Sequence, residues 1–218
     1  TADAEKALAI AAKHPCVHVV AGVHPHNAAK VDGGWESHLS SIVSRPDVNA
    51  VGEMGLDYHY DFADRTAQDR VFRAQLAIAQ SVGKPVVIHC RESHDDVLSV
   101  LADFPNPAGV VFHCFTGTMT EARQIIDAGY WISLTGVVTF KRSDELREVA
   151  RFVPADRLMI ETDAPYLSPE PLRNSRPNEP SYLIHTARCV AEARGLDVDG
   201  LAELTTSNAR RFFNLPQR

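Results

Sequence analysis

The sequence predicts a parallel α/β fold, a TIM-type (β/α)8 barrel of which six strand–helix units are present and the first two strands are expected to lie outside this chain. Three observations predict it. Short, continuous β-branched runs, the signature of strands buried on both faces, alternate with stretches of helical periodicity. Four of these runs deliver an acid or an imidazole at their carboxyl ends: Glu53, His89, His113 and Asp163. Side chains so placed converge on one face of a parallel barrel, the face where such folds do their chemistry. The third observation is length. A closed eight-stranded barrel takes about 250 residues, whereas 218 residues accommodate six units around one core, a single domain over residues 1–218.

Each element follows from local pattern. A helix is expected over residues 3–13 and a first strand over 16–23. The second strand, 48–54, carries Ala50-Val51-Gly52-Glu53. Over 66–82, Val71, Phe72, Gln75, Leu76, Ala79 and Val82 fall mostly at i, i+3, i+4 and i+7, which makes one buried helical stripe. Gly83 then supplies a left-handed cap, and Pro85 cannot continue the helix. The third strand, 85–89, reads Pro85-Val86-Val87-Ile88-His89, and the fourth, 109–114, reads Gly109-Val110-Val111-Phe112-His113. Thr118-Met119-Thr120-Glu121 is a capping box that opens the next helix, and Gly129 closes it. Strands five and six are expected over 130–135 and 157–162, with Ser143 and Ser181 as caps of two further helices. The chain finishes with two helices, 181–194 and 199–212.

Composition narrows the function classes. An apolar fraction of 44% and a charged fraction of 23% suit a soluble globular enzyme. A net charge of −6 argues against a broad grip on duplex nucleic acid, which needs a basic face. It leaves room for an anionic substrate, because bound divalent cations reverse the local field. No run approaches the roughly 20 apolar residues of a membrane span. No secretory leader is visible, and because the chain begins at Thr1 a leading segment is expected to be absent from it. Cys16, Cys90, Cys114 and Cys189 are too scattered for a disulfide framework or a paired-cysteine zinc site. They read as small buried thiols in a reducing compartment, the cytoplasm.

Taken singly, a strand-end histidine is more often a hydrogen-bonded structural residue than a ligand. Taken together, several buried charges without an ion would cost on the order of several kcal/mol apiece, and no Lys or Arg occupies the matching strand ends. Two neutral imidazoles with two carboxylates suit a borderline divalent metal such as zinc or manganese. Arg91 lies two residues past His89, and Arg173 and Arg176 stand in a Pro-rich loop, 168–180, just past Asp163. All three would meet a phosphate; solvated loop charge is the alternative for the last two.

Five motifs sharpen the reading. They are Gly22-Val23-His24-Pro25-His26, Gly52-Glu53-Met54-Gly55-Leu56-Asp57-Tyr58, Val87-Ile88-His89-Cys90-Arg91, Phe112-His113-Cys114-Phe115-Thr116-Gly117 and Glu161-Thr162-Asp163-Ala164-Pro165-Tyr166-Leu167. In this order they closely resemble the TatD family of metal-dependent hydrolases, often described as deoxyribonucleases. Asn178-Glu179-Pro180 and Asn208-Ala209-Arg210-Arg211-Phe212 match the carboxyl-terminal landmarks of that family, so the resemblance runs over about residues 15–215. It implies an amidohydrolase-type barrel with two adjacent divalent ions, whether zinc, manganese or magnesium. Glu53 would bridge them, His89 and His113 would bind one, and Asp163 the other. A His-x-His pair on the first strand of the family completes the second ion's site, and this chain has no such strand. His24 corresponds to a histidine on the substrate side. The alternative, that His24 and His26 serve as a ligand pair, stays open.

The leading expectation is hydrolysis of nucleic-acid phosphodiesters by water activated between two metals, with Asp163 as general base. Single strands or chain ends are expected as substrate rather than long duplex. The rivals are an ester or amide hydrolase, such as an aminoacyl-tRNA deacylase, and a truncated, non-catalytic metal-binding remnant.

Overall fold

The protein is described by a computed structural model that covers residues 2–104 and 108–216. These fall into two compact units, Thr1–Val111 and Phe112–Arg218.

The first unit opens with α1 (Ala2–Ala11), followed by β1 (Val19–Ala21), α2 (Trp35–Val43), β2 (Val48–Asp57), α3 (Arg65–Val82), β3 (Val86–Arg91) and α4 (His94–Ala102). β1 pairs with β2 and β2 with β3, both parallel. Val19, Ala21, Val48, Ala50, Val51, Met54, Leu56, Val86 and Ile88 are all buried, as strands covered on both faces require. α3 covers β2 with Val71, Phe72, Leu76 and Ala79. Asp64 caps the helix by accepting from Ala67 N at 2.8 Å, and Gly83 ends it at φ 65°. Lys84 then donates from Nζ to the carbonyls of Val43, Arg45 and Val48, gathering the end of α2 and the start of β2 on one cation.

Two glycines allow the strands to approach. A Cβ on Gly55, at φ +141°, would stand 1.9 Å from the His89 carbonyl oxygen, and one on Gly22 would stand 2.7 Å from the Gly52 backbone. A side chain at Gly55 would part β2 from β3, the strands that carry Glu53 and His89, and one at Gly22 would part the end of β1 from β2.

The fourth strand, β4 (Val110–Phe112), contains the limit between the units. The second unit continues with α5 (Met119–Asp127), β5 (Trp131–Leu134), α6 (Asp144–Phe152), β6 (Leu158–Ile160), α7 (Leu183–Arg194) and α8 (Val198–Phe212). β5 and β6 pair in parallel. The Thr118–Glu121 capping box is present in full. Asn208 on α8 donates from Nδ2 to Ala155 O and Leu158 O, which ties the last helix to the start of β6. Among the described residues no helix is long and apolar enough to cross a membrane.

Six strand–helix units are thus present, with differences in detail. The first strand is shorter than 16–23, because Val17 N turns back to His14 O at 2.8 Å and closes the end of α1. The second is longer than 48–54. Glu53 therefore sits within β2 rather than at its end, beside a register shift between Val51 and Met54. His89 is likewise two residues short of the end of β3, and Asp163 lies three residues past β6. Ser143 holds the N-cap position of α6 without a capping hydrogen bond. Ser181 does not cap α7: its hydroxyl is taken by Glu179 at 2.7 Å, and a short 3-10 turn, Pro180–Tyr182, precedes the helix. The four thiols are less buried than expected, Cys16 being exposed and the others intermediate.

Candidate metal centre

In the first unit, β2, β3 and the turn after β1 bring His24, His26, Glu53, Asp57 and His89 together. Glu53 Oε1 lies 2.8 Å from His89 Nδ1 and 3.6 Å from His24 Nε2, and the two imidazole nitrogens are 3.3 Å apart. The other His89 nitrogen, Nε2, is 2.9 Å from Asp57 Oδ2, and His26 Nε2 reaches the same oxygen at 2.8 Å.

Asp57 was not singled out from sequence, yet it organises this cluster. It is 1% exposed, and its second oxygen, Oδ1, accepts from His59 N at 2.9 Å and Tyr60 N at 3.0 Å. Burial alone would raise its carboxyl, but the Tyr60 N–H and the imidazoles of His26 and His89 outweigh burial and hold it at about 2. The ionised Asp57 carboxylate accepts a hydrogen bond at His89 Nε2, which turns His89 Nδ1 toward Glu53. A divalent ion with nitrogen and oxygen ligands fits that donor pair, and the carboxylate behind a ligating histidine is the usual orienting partner.

His24 behaves differently. Its Nδ1 accepts from His26 N at 3.1 Å, a backbone donor that can only give, so the proton of a neutral His24 resides on Nε2. Burial, the largest influence, holds His24 down at about 4 against the pull of Glu53, so the ring is neutral at pH 7. Distances alone would let His24, His26 and His89 share an ion. In that tautomer the His24 N–H is aimed toward Glu53 and His89.

Two buried glutamines on α3 fix the backbone of this cluster. Gln75 accepts from Val23 N at 2.7 Å and donates to Val23 O at 3.0 Å, immediately before His24. Gln68 accepts from Asp57 N at 2.8 Å and donates to Asp57 O and Ala63 O, both at 2.9 Å. Arg91, at the end of β3, has its guanidinium over the Tyr60 ring, 4.8 Å from the centroid.

In the second unit His113 follows β4 directly, and its Nδ1 lies 3.2 Å from Glu161 Oε1. That carboxylate also accepts from Cys114 N at 2.6 Å, so Glu161, another residue not singled out from sequence, orients the His113 segment. Burial pushes the Cys114 thiol up to about 12, which keeps it a thiol rather than a thiolate ligand at neutral pH. Asp163 begins a turn in which its carbonyl accepts from Tyr166 N at 2.6 Å. The 168–180 loop is stitched to itself: Ser168 Oγ donates to Ser175 O and Asn178 Nδ2 to Tyr166 O, each at 2.6 Å. Arg173 stacks on Phe140 at 3.7 Å, and Arg176 is exposed in the same loop.

Residues 1–214 match the model of the family described as TatD related DNase. A protein named 3′-5′ ssDNA/RNA exonuclease TatD from Erwinia tasmaniensis is 42% identical over 219 residues, covering 98% of this chain and 85% of the relative. An uncharacterized metal-dependent hydrolase from Bacillus subtilis, YabD, is 38% identical over 214 residues, with 96% and 82% covered. Among solved structures, a TatD homologue from Escherichia coli superposes with a TM-score of 0.91 at 28% identity, over 97% of this chain and 82% of its own.

Proposed function

Because this chain belongs to the family of TatD-related DNases, we propose that it is a metal-dependent nuclease removing nucleotides from the ends of single-stranded nucleic acid. The observation that carries the reading is the His89 Nδ1–Glu53 Oε1 apposition at 2.8 Å, backed by an ionised Asp57. Relatives at about 40% identity bear the name of a 3′-5′ ssDNA/RNA exonuclease, which supports this substrate class and polarity.

In this reading residues 1–218 act as one domain. Glu53, His89, His113 and Asp163 hold two divalent ions, of which zinc, manganese and magnesium are the candidates. Ions held there supply Lewis acidity toward a phosphoryl oxygen and lower the pKa of a water. The protein side chains do the rest. Glu53 and His89 offer their donor atoms on one side, while Asp57 keeps the His89 ring in the required tautomer. His24 donates its Nε2–H to a phosphoryl oxygen. Asp163 accepts the proton of the attacking water, and Arg91, Arg173 and Arg176 pair with phosphates of the strand. The scattered spacing of the four cysteines, which suits no disulfide framework, favours a reducing compartment, the cytoplasm.

The test is direct. End-labelled DNA and RNA single strands, a blunt duplex and an aminoacyl-tRNA ester are incubated with the purified chain in EDTA and then with each metal restored. The expected result is metal-dependent shortening of the single strands from the 3′ end, with the duplex and the ester cleaved far more slowly. Faster cleavage of the ester, or no cleavage of any substrate with any metal, overturns the reading.

A further inference from the structure

The first unit exposes an aromatic group that the chemistry above does not use. Tyr60 and Phe62 follow β2 and are left open to solvent, Tyr60 at 41% and Phe62 at 60%. Their rings stack, with centroids 5.4 Å apart and planes 28° from parallel. His26 packs against both, 4.8 Å from Phe62 and edge-on to Tyr60 at 5.4 Å. The Arg91 guanidinium lies over Tyr60 at 4.8 Å, and His59 meets Tyr60 edge-on at 4.7 Å. One imidazole thus touches both the aromatic pair and Asp57, the carboxylate that holds His89.

We propose that Tyr60 and Phe62 form a stacking platform for an unpaired nucleobase of the substrate strand, with Arg91 meeting the phosphate beside it. This rests on the nuclease reading and adds the subsite that selects for single strands. Flat, exposed rings beside a cation match a nucleotide, which offers a π-face and an anion separated by one sugar. An apolar protein surface would gain nothing from the guanidinium. In a molecule of net charge −6, a local arginine on an aromatic plate is a place where a polyanion gains rather than loses. Every base has a π-face, so the platform tolerates sequence, but a base paired inside a duplex has no face to give.

The experiment uses the full chain and a short, cleavage-resistant phosphorothioate DNA strand carrying 2-aminopurine at its 3′ end, titrated in magnesium. Stacking on the platform quenches the probe. The wild-type protein is expected to quench it, and Phe62→Ala to lose the quench with binding about tenfold weaker, the size of one lost stacking contact. Phe62→Leu, which keeps bulk without a π-face, is expected to behave like Phe62→Ala, and Phe62→Trp to restore both readouts. Absence of quenching by the wild type, or equal quenching and affinity in wild type, Phe62→Ala and Phe62→Leu, overturns the platform. So does a change of oligomeric state in Phe62→Ala with quenching intact, which marks a protein contact instead. The readout does not depend on hydrolysis: a chain that quenches but cleaves nothing keeps the platform and loses the nuclease reading. A chain that cleaves without quenching does the reverse.

Discussion

Asp57 accepts four hydrogen bonds, two from imidazoles and two from backbone N–H groups, and it is this saturation that sets the tautomer of His89. An asparagine in its place has only one acceptor oxygen, so its amide group would point N–H at N–H on one side of the cluster. Asp57→Asn is therefore expected to lower divalent-metal affinity by about 10–100-fold, the usual effect of removing the carboxylate behind a ligating histidine. Chelator-competition titration measures this, and an unchanged affinity would show that His89 is oriented by something else. The sequence contained Asp57 inside its second motif but gave no hint of this duty. Strand β2 was expected to stop three residues earlier, which left Asp57 outside the strand. Glu53, His89 and His113 stood out in the sequence as candidates because each follows an apolar, largely β-branched run. Glu161 did not, because its partners, His113 and Cys114 N, are 47 or more residues away in the chain and only the fold brings them near.

At the scale of elements, α3 does more than cover the sheet. Its stripe of Val71, Phe72, Leu76 and Ala79 reads as packing, and the same face carries Gln68 and Gln75, seven residues and two turns apart. Each amide pairs with both the N–H and the C=O of one residue, so the helix supplies the hydrogen bonds that the turn before His24 and the end of β2 would otherwise lack. A buried glutamine at a stripe position is a sequence-level signal that a partner must exist, but the identity of the partner is tertiary. Gln75→Leu leaves Val23 N and O without their amide, which should cost about 2 kcal/mol of stability, in the range for orphaned buried polar groups. Urea unfolding would register the loss. Because Val23 leads directly into His24, hydrolysis should fall further than the folded fraction does, and a variant that is destabilised yet fully active per folded molecule would separate α3 from the site. Element positions were readable from local periodicity and capping, down to the Thr118–Glu121 box; strand ends and the register shift in β2 were not, since both depend on which backbone lies alongside.

Across the whole molecule, 28 acidic side chains outweigh 22 basic ones, and that balance limits how a polyanion can be held. A protein that grips nucleic acid by a broad basic face releases many counterions and loses affinity steeply as salt rises, by about 0.7 log units per log unit of salt for each phosphate neutralised on a single strand. Here three arginines are candidates for phosphate, Arg91, Arg173 and Arg176, and Arg173 already has one face of its guanidinium on Phe140. Binding of a cleavage-resistant single strand, followed by fluorescence anisotropy over a range of salt at constant magnesium, should therefore give a log–log slope no steeper than about −2. Stacking on Tyr60 and Phe62 is insensitive to salt, so a substantial part of the affinity should persist at high ionic strength. Duplex of the same length, with its bases closed to the platform, should bind weakly at every salt concentration. A slope steeper than about −4 would mean more than five phosphates neutralised at once. No set of three arginines supplies that, and the substrate path would then have to follow a basic surface rather than the aromatic plate beside His26.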